Sequence, residues 1–220
     1  MISVQDVTKQ YGTKIAVSSV SFNISKGEFV GFIGANGAGK STTIKMLAGQ
    51  LAPSKGTVFI NGIDVLKEPN QARHHIGYVP EFPELYQYLT AREMLEFVIS
   101  VRGKGDLDWG LEIAGLDSDA ERPIREYSQG MRRKTALACA MISKPSILIL
   151  DEALNGLDPS SVKRFQELFE ELRAAGTVIF LSTHVLDSLE RMASRILYIK
   201  NGKIQVDCPI SELDSIRNAF

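Results

Sequence analysis

The sequence offers little that would attach the chain to a membrane or to nucleic acid. Apolar runs such as 147–150 and 178–181 are short, whereas a membrane-spanning helix needs about 20 apolar residues. The N-terminus is neither basic nor followed by an apolar segment, so no signal peptide is expected. The formal net charge is −1, which provides no overall basic surface for nucleic acid. Any link to a membrane is therefore expected to come through a partner protein.

Cysteine is equally scarce. Cys139 and Cys208 are the only two, and they lie outside any metal-ligand or C-x-x-C spacing, which is typical of a protein in a reducing compartment. The 220 residues, of which 44% are hydrophobic and 23% charged, suffice for one substantial core and do not indicate disorder.

The most specific motif is a G-x-x-x-x-G-K-[ST] segment that follows the predicted strand 28–33 and opens the predicted helix 41–49. Glycines let successive backbone N–H groups converge on phosphates, and the helix adds its positive end. Lys40 would reach the β- and γ-phosphates, and the Ser41 hydroxyl would ligate Mg²⁺. The predicted phosphate site comprises Gly34, Ala35, Asn36, Gly37, Ala38, Gly39, Lys40, Ser41 and Thr42. Such a pattern arises by chance in roughly one chain of this length in a hundred, which disfavours an ordinary glycine-rich turn.

Two carboxylates follow the buried strand predicted at 147–150, at the edge of an open α/β sheet where ligands bind. Asp151 would hold Mg²⁺, often through water, and Glu152 would orient or deprotonate the attacking water. His184 follows another predicted strand and could donate to the γ-phosphate. In isolation, the acids could simply end a strand in solvent, and a lone histidine is more often structural.

The remaining pattern predicts an α/β fold with a mainly parallel core sheet, an antiparallel β flank and an inserted helical segment. Thr90 and Glu93 form a capping box that opens a helix within 82–143, and Asp158-Pro159 and Gly176 delimit another helix. The predicted strands are 2–8, 17–24, 28–33, 57–60, 147–150 and 177–181; the predicted helices are 41–49, 94–101, 131–141, 159–175 and 185–193; a hairpin is predicted at 196–206.

Taken in order, these motifs resemble the nucleotide-binding subunit of ABC transporters, and the resemblance spans nearly the whole chain. The family signature is matched by 127–131, its G-L-D-P segment by 156–159 and its switch histidine by His184. The resemblance implies a P-loop NTPase of the ABC ATPase type that binds ATP and Mg²⁺. It implies one ABC ATPase domain over 1–220, with a core formed by 1–81 and 144–220 and a helical signature subdomain at 82–143. The further nucleotide-binding residues that it implies are Tyr11, which would stack on adenine, and Ser128, Gln129, Gly130 and Asp158.

The family also implies a head-to-tail dimer, either of two copies or with a related subunit. Ser128 and Gly130 of one protomer would cap the γ-phosphate held by Lys40 of the other. This agrees with an anion site at the N-terminus of the helix after Ser128. The alternative is that Ser128 only caps that helix, which is worth about 1 kcal/mol.

Three departures from the family pattern are visible. Glu81 replaces the usual glutamine; its carboxylate could ligate Mg²⁺ but cannot donate a hydrogen bond. Gln129 and Met131 alter the signature, and 153–154 differ from the usual proline and small polar residue. These changes are similar to those of the exporter branch, which handles drugs, lipids, polysaccharides or ions.

The sequence thus predicts an ATPase subunit that dimerises on ATP and drives transport, in the direction of export, through a separately encoded membrane permease at the cytoplasmic face of the cell membrane. Residues 82–89 would receive a helix of the permease, with some of their aromatic side chains in the core. A non-transport ABC ATPase acting on a ribosome or a nucleic-acid complex is the alternative, although no nucleic-acid partner is expected. A small-molecule kinase or GTPase would require the signature and His184 to be coincidental.

Overall fold

The computed structural model describes residues 1–184 and 187–212. In these residues the strands are β1 (Ile2–Tyr11), β2 (Lys14–Ile24), β3 (Phe29–Ile33), β4 (Lys55–Ile60), β5 (Ile63–Asp64), β6 (Ile76–Val79), β7 (Ile147–Asp151), β8 (Val178–Thr183), β9 (Arg195–Lys200) and β10 (Lys203–Pro209). The helices are α1 (Lys40–Leu47), α2 (Pro69–His74), α3 (Ala91–Arg102), α4 (Leu107–Ala114), α5 (Gln129–Met141), α6 (Pro159–Ala174) and α7 (Asp187–Glu190). Single 3-10 turns lie at 117–121, 124–126 and 210–212.

A six-stranded sheet forms the centre of the fold, in the order β10-β9-β3-β8-β7-β6. The pairs from β9 to β6 are parallel, and β10 runs antiparallel to β9. β7 is buried along its whole length because its two faces pack against different clusters: Leu148 and Leu150 against one, Ile147 and Ile149 against the other. Burial on both faces explains why its sequence is a continuous apolar run.

The layers on the two faces of this sheet differ. Helices α3 to α6 contribute to the cluster on one face, where Leu137 and Phe165 are almost completely buried. The other face packs against α1 and an antiparallel sheet of order β2-β1-β4-β5. Phe22 of β2 stacks on Phe180 of β8, with ring centroids 6.1 Å apart. The central sheet therefore lies between a helical layer and an antiparallel β layer, which confirms the predicted α/β fold class.

Local sequence signals set several element ends. Asn61 (φ 52°) and Gly62 (φ 82°) both have positive φ, the backbone that a two-residue hairpin requires, and they join β4 to β5. At the start of α3, Thr90 accepts a hydrogen bond from the Glu93 N–H while the Glu93 carboxylate accepts one from the Thr90 N–H. The Asp158 side chain caps α6 ahead of Pro159 at its first turn. All three signals act as predicted.

Other predictions need correction. The predicted helix at 185–193 is shorter: α7 covers Asp187–Glu190, residues 185–186 lie outside the described part, and the chain turns at 191–192. β1 and β2 extend towards each other until Tyr11 pairs with Lys14, because a tight turn lets the backbone pairing continue. Helix α2 is not indicated by the sequence pattern. The division into 1–81, 82–143 and 144–220 stays a prediction.

The aromatic residues of 82–89 were expected in part in the core, and this prediction is wrong. Phe82, Tyr86 and Tyr88 are 73%, 59% and 81% exposed, whereas Leu85 and Leu89 pack against the core. The leucines anchor the segment, which leaves the aromatic rings on the surface. In the part of the chain that the structure describes, no helix combines the length and the apolar character needed to cross a bilayer.

Candidate active site

A cleft of about 620 Å³ opens beside the phosphate loop, where β3 meets α1. Its lining includes most of the predicted phosphate-loop residues together with Tyr11, Glu81 and Glu152. It also includes residues of the two hairpins that follow β1 and β9, and the sequence did not indicate these residues as part of the site. The lining residues are Tyr11, Lys14, Ile15, Ala16, Asn36, Gly37, Gly39, Lys40, Ser41, Thr42, Glu81, Glu152, Asn201 and Gly202. The cleft therefore has the position predicted for the nucleotide.

Backbone conformation shapes the phosphate loop. Gly37 and Gly39 have φ angles of 78° and 112°, which residues with a side chain rarely adopt. A Cβ on Gly39 would also lie 2.7 Å from the Ala16 carbonyl oxygen, so glycine is required there. The loop is further fixed where the Gly202 N–H donates to the Ala38 carbonyl at 2.9 Å. The loop conformation is thus held by the β9–β10 hairpin as well as by its own glycines.

Lys40 is the first residue of α1 and is only 7% exposed. Its ammonium donates to the carbonyl oxygens of Gly34 at 2.7 Å and Ala35 at 3.4 Å. Among residues 1–184 and 187–212, the nearest carboxylate oxygen is Glu152 Oε1, 3.9 Å from Lys40 Nζ. A buried ammonium needs hydrogen-bond acceptors or anions around it, and the cleft beside it suits a phosphate.

Glu152 lies at the centre of a polar cluster. Its side chain is 8% exposed, and its Oε2 accepts a hydrogen bond from Asn155 Nδ2 at 2.9 Å. His184 Nδ1 lies 3.0 Å from the same oxygen, so the ring donates to the carboxylate when Nδ1 carries the proton. The predicted catalytic residues Lys40, Glu152 and His184 are thus brought together, although His184 does not line the cleft and its side chain is 56% exposed.

Asp151 is 2% exposed and is not part of the cleft lining. The Ser182 hydroxyl donates to Asp151 Oδ1 at 2.5 Å and accepts from the Glu152 N–H at 3.0 Å. Burial, together with the negative charge of Asp151, raises the pKa of Tyr78 to about 12. Ser41 and Glu81 lie at the cleft surface, whereas Asp151 is held in the interior next to Glu152.

The predicted signature residues do not line this cleft. Ser128 caps α5 by accepting a hydrogen bond from the Met131 N–H at 3.2 Å, and Ser128 and Gln129 are exposed while Gly130 is half-buried. A Cβ on Gly130 would lie 3.6 Å from the Gly156 carbonyl oxygen. The signature therefore lies beside the 156–159 segment, and the two form a second surface outside the cleft.

Asp158 belongs to that second surface and caps α6. Its Oδ1 accepts from the Ser161 N–H at 3.0 Å and from the Ser160 hydroxyl at 2.5 Å, and its Oδ2 accepts from the Ser161 hydroxyl at 2.6 Å. These hydrogen bonds, led by that from Ser160, lower the pKa of Asp158 well below its usual range, and Lys134 at 3.8 Å adds to the effect. Asp158 therefore stays ionised on the protein surface.

The sequence does not indicate three residues that support this site: Ser182, Asn155 and Arg133. Parallel pairing places Ser182 opposite Asp151, a register that is visible only after the strands are aligned. Asn155 follows Glu152 by three residues, as in a turn. Arg133 precedes the buried Leu137 by four residues on α5, and this helical spacing was the available signal that its side chain faces inward.

Comparison with known proteins gives one consistent result. Residues 17–155 match the protein-family model described as ABC transporter. The bacitracin transport ATP-binding protein BcrA of Bacillus licheniformis is 36% identical over 217 residues, which cover 97% of this chain and 71% of that protein. The Nod factor export ATP-binding protein I of Sinorhizobium fredii is 38% identical over 208 residues, which cover 92% of this chain and 61% of that protein.

Solved structures agree. An ATP-binding subunit of an ABC transporter is similar with a TM-score of 0.91 at 33% identity, covering all of this chain and 93% of that one. A dimeric ATP-binding cassette in a post-hydrolysis state, bound to ADP and phosphate, gives a TM-score of 0.88 at 26% identity and covers 96% of this chain and 99% of that one.

Proposed function

This chain belongs to the ABC transporter family as an ATP-binding subunit that hydrolyses ATP, and we propose that it dimerises on ATP and powers export through a separately encoded membrane permease. The observation that carries this proposal is that Glu152, at the cleft, lies close to both Lys40 and His184, with the signature on a separate surface. One chain thus holds two half-sites.

ATP is assigned to the cleft. Lys40 would bind the β- and γ-phosphates beside the N-terminus of α1, where the helix dipole favours anions. Tyr11 is 49% exposed at the cleft, so its ring face can stack on adenine. Lys9 Nζ lies 5.3 Å from the centre of the same ring, where a cation–π contact helps to hold the ring.

Mg²⁺ fits the donor set, because Ser41, Glu81 and Asp151 supply the hydroxyl and carboxylate oxygens that this ion prefers. When bound there, Mg²⁺ would neutralise charge that develops on the phosphates. Glu152 is assigned the role of orienting or deprotonating the attacking water, with His184 and Asn155 fixing its carboxylate. Lys40 stabilises charge on the transferred phosphate.

A head-to-tail dimer would complete each site. Ser128, Gln129, Gly130 and Asp158 lie on a surface outside the cleft of their own chain, and a second copy would apply this surface to the γ-phosphate in the first. The dimeric, ADP-bound structural relative supports dimerisation. The capping bond from the Met131 N–H to Ser128 leaves the Ser128 hydroxyl proton available as a donor, so capping and phosphate contact are compatible.

The permease is assigned to a groove of about 310 Å³ between α3, α5 and the segment after β6. Tyr78, Leu85, Phe97 and Val101 are among its lining residues, and the exposed aromatics of 82–89 lie in the adjoining segment. Exposed apolar surfaces of this kind mark interaction sites. We place the protein at the cytoplasmic face of the membrane through this contact. The bacitracin transport relative supports a role in transport, and the Nod factor export relative supports export.

The variant Glu152→Gln tests the proposal. Purified protein should form a dimer when ATP is added and should turn ATP over very slowly, because the variant keeps its nucleotide-binding residues but its glutamine cannot activate water. Light scattering after size-exclusion chromatography measures the dimer, and phosphate release measures turnover. Glu171→Gln, an exposed glutamate of α6, is the matched control. A Glu152→Gln protein that stays monomeric and keeps full turnover would refute both assigned roles.

A further inference from the structure

Arg133, on α5, is a buried cation whose hydrogen-bond acceptors are backbone carbonyls. It is 3% exposed, and it forms no ion pair within 4.0 Å among the described residues. Its Nη1 donates to the Glu152 carbonyl and its Nη2 to the Glu81 carbonyl, both at 2.7 Å. Within the described part of the chain, its Nε is buried without a hydrogen-bond partner. Burial lowers the pKa of Arg133, and the charges of Glu81 and Glu152 oppose this.

Such an arrangement is poorly explained by stability alone. Burying a guanidinium is costly, and an apolar side chain of similar size often stabilises a core as well or better. What the guanidinium provides is geometry, because its planar fork holds two acceptors at fixed positions relative to each other. The two acceptors here are the main-chain carbonyls of the two carboxylate residues that line the cleft.

Glu152 needs such a restraint. Its φ of 50° lies in the left-handed region, which residues with a side chain occupy only when their surroundings hold them there. Its N–H is fixed by the Ser182 hydroxyl at 3.0 Å and its carbonyl by Arg133 at 2.7 Å. Held at both ends, the residue directs its carboxylate towards Lys40 and His184.

Helix α5 extends this restraint to two other surfaces. Its first turn carries Gly130 of the signature, and Arg133 lies one turn further along the helix. Ala136 and Ala140 of the same helix line the apolar groove. One rigid element therefore joins the signature, the groove and the backbone of the cleft carboxylates.

We propose that Arg133 is a positioning residue, which ties α5 to the Glu81 and Glu152 backbones and thereby sets the position of the Glu152 carboxylate for ATP hydrolysis. The inference rests on the proposed role of Glu152. It assigns to Arg133 no contact with nucleotide, so its loss should affect the chemical step and leave ATP binding intact.

The test measures kcat and the KM for ATP separately for purified wild-type and variant proteins. Arg133→Gln should lower kcat roughly 10- to 100-fold, as expected for a displaced catalytic group, and should leave the KM for ATP within about threefold. Arg133→Lys should give an intermediate kcat, because one ammonium cannot reproduce the two-carbonyl fork. In a Glu152→Gln background, Arg133→Gln should cause no further loss, since the group that it positions is already altered.

Arg195→Gln is the control. Arg195 also donates to a backbone carbonyl, that of Asn23 at 2.8 Å. It lies at the start of β9, whereas the cleft-lining residues Asn201 and Gly202 follow the end of this strand. The kcat of this variant should stay within about twofold of wild type. If Arg133→Gln does not fold, Arg133→Lys decides.

Full kcat in a folded Arg133 variant overturns the inference, as does a parallel loss of ATP binding, which would indicate a general structural role. An inactive Glu152→Gln together with a fully active Arg133→Gln would reject the inference and leave the proposed function standing. Failure of wild-type protein to hydrolyse ATP would instead reject the proposed function.

Discussion

The Ser182 hydroxyl joins Asp151 to the Glu152 backbone, so its removal measures how much these hydrogen bonds stabilise the protein. It is completely buried at the end of β8, where it donates to Asp151 Oδ1 at 2.5 Å and accepts from the Glu152 N–H at 3.0 Å. Ser182→Ala removes one oxygen and leaves both neighbours in place. The Glu152 N–H keeps the Ser182 carbonyl at 3.2 Å as a second acceptor, whereas Asp151 loses a short bond.

The expected loss follows from these two bonds. A hydrogen bond to a charged group contributes about 1.5–3 kcal/mol and a neutral one about 0.5–1.5 kcal/mol. Because the Glu152 N–H retains one acceptor, we expect Ser182→Ala to lower the free energy of unfolding by about 2–4 kcal/mol. For a domain of this size that corresponds to a fall in Tm of roughly 4–16 °C.

Urea unfolding followed by circular dichroism measures the change. Ser143→Ala is the matched control, because the Ser143 hydroxyl is also buried but has no protein hydrogen-bond partner within the described residues. Its removal should not lower the free energy of unfolding, because it deletes a buried hydroxyl that makes no protein hydrogen bond. Two results would contradict this reasoning: a fall in the free energy of unfolding below about 1 kcal/mol for Ser182→Ala, or an equal fall for both variants. Either would show that the hydrogen bonds of Ser182 to Asp151 and Glu152 do not stabilise the protein.

Three further predictions concern other parts of the molecule. Tyr11→Ala should raise the KM for ATP about 5- to 100-fold through lost stacking, whereas Tyr11→Phe should leave it nearly unchanged; equal effects would contradict stacking. Hydrogen bonds from Ser160 and Ser161 lower the pKa of Asp158 from 3.8, so its contribution to stability is present above that pH and is lost as pH falls through the lowered value. Wild type should therefore lose more unfolding free energy than Asp158→Asn, which keeps a capping group, between about pH 5 and pH 3 in urea titrations; parallel losses would refute this. Burial raises the pKa of Cys139 to about 12 and also raises that of Cys208, so both thiols should react slowly with Ellman's reagent at about pH 8 until the protein unfolds, and rapid labelling of native protein would contradict this.

The parts of the site that the sequence predicts are those whose chemistry is local. The phosphate loop needs glycines and a lysine at fixed spacing, and the acidic pair needs a buried strand before it, so both are visible in consecutive residues. The same holds for the hairpin turn at 61–62 and the cap at Asp158, because each depends on hydrogen bonds or backbone angles within a few residues.

The rest depends on tertiary packing. Arg133 lies in the basic run 132–134. Its spacing from Leu137 indicates an inward position, but the packing of α5 decides that its charged group is buried while its neighbours are half-buried. The left-handed backbone of Glu152 is set by Ser182 and Arg133, which lie far away in sequence. The exposure of Tyr88 follows from how leucines anchor its segment. The amino-acid sequence alone therefore could not predict the burial of the charged group of Arg133, the backbone conformation of Glu152 or the exposure of Tyr88.

Whether the catalytic sites are shared between two chains is tested most directly by mixing two inactive variants. Glu152→Gln leaves the signature intact, and Ser128→Arg leaves the cleft intact but blocks the signature. In a mixed head-to-tail dimer, the cleft of the Ser128→Arg chain meets an unaltered Ser128, so one complete site forms. Equimolar mixing should restore ATPase activity to about a quarter of the wild-type value, since half of the dimers are mixed and each has one intact site. Full activity of Ser128→Arg on its own, or no recovery when the two variants are mixed, would contradict the account.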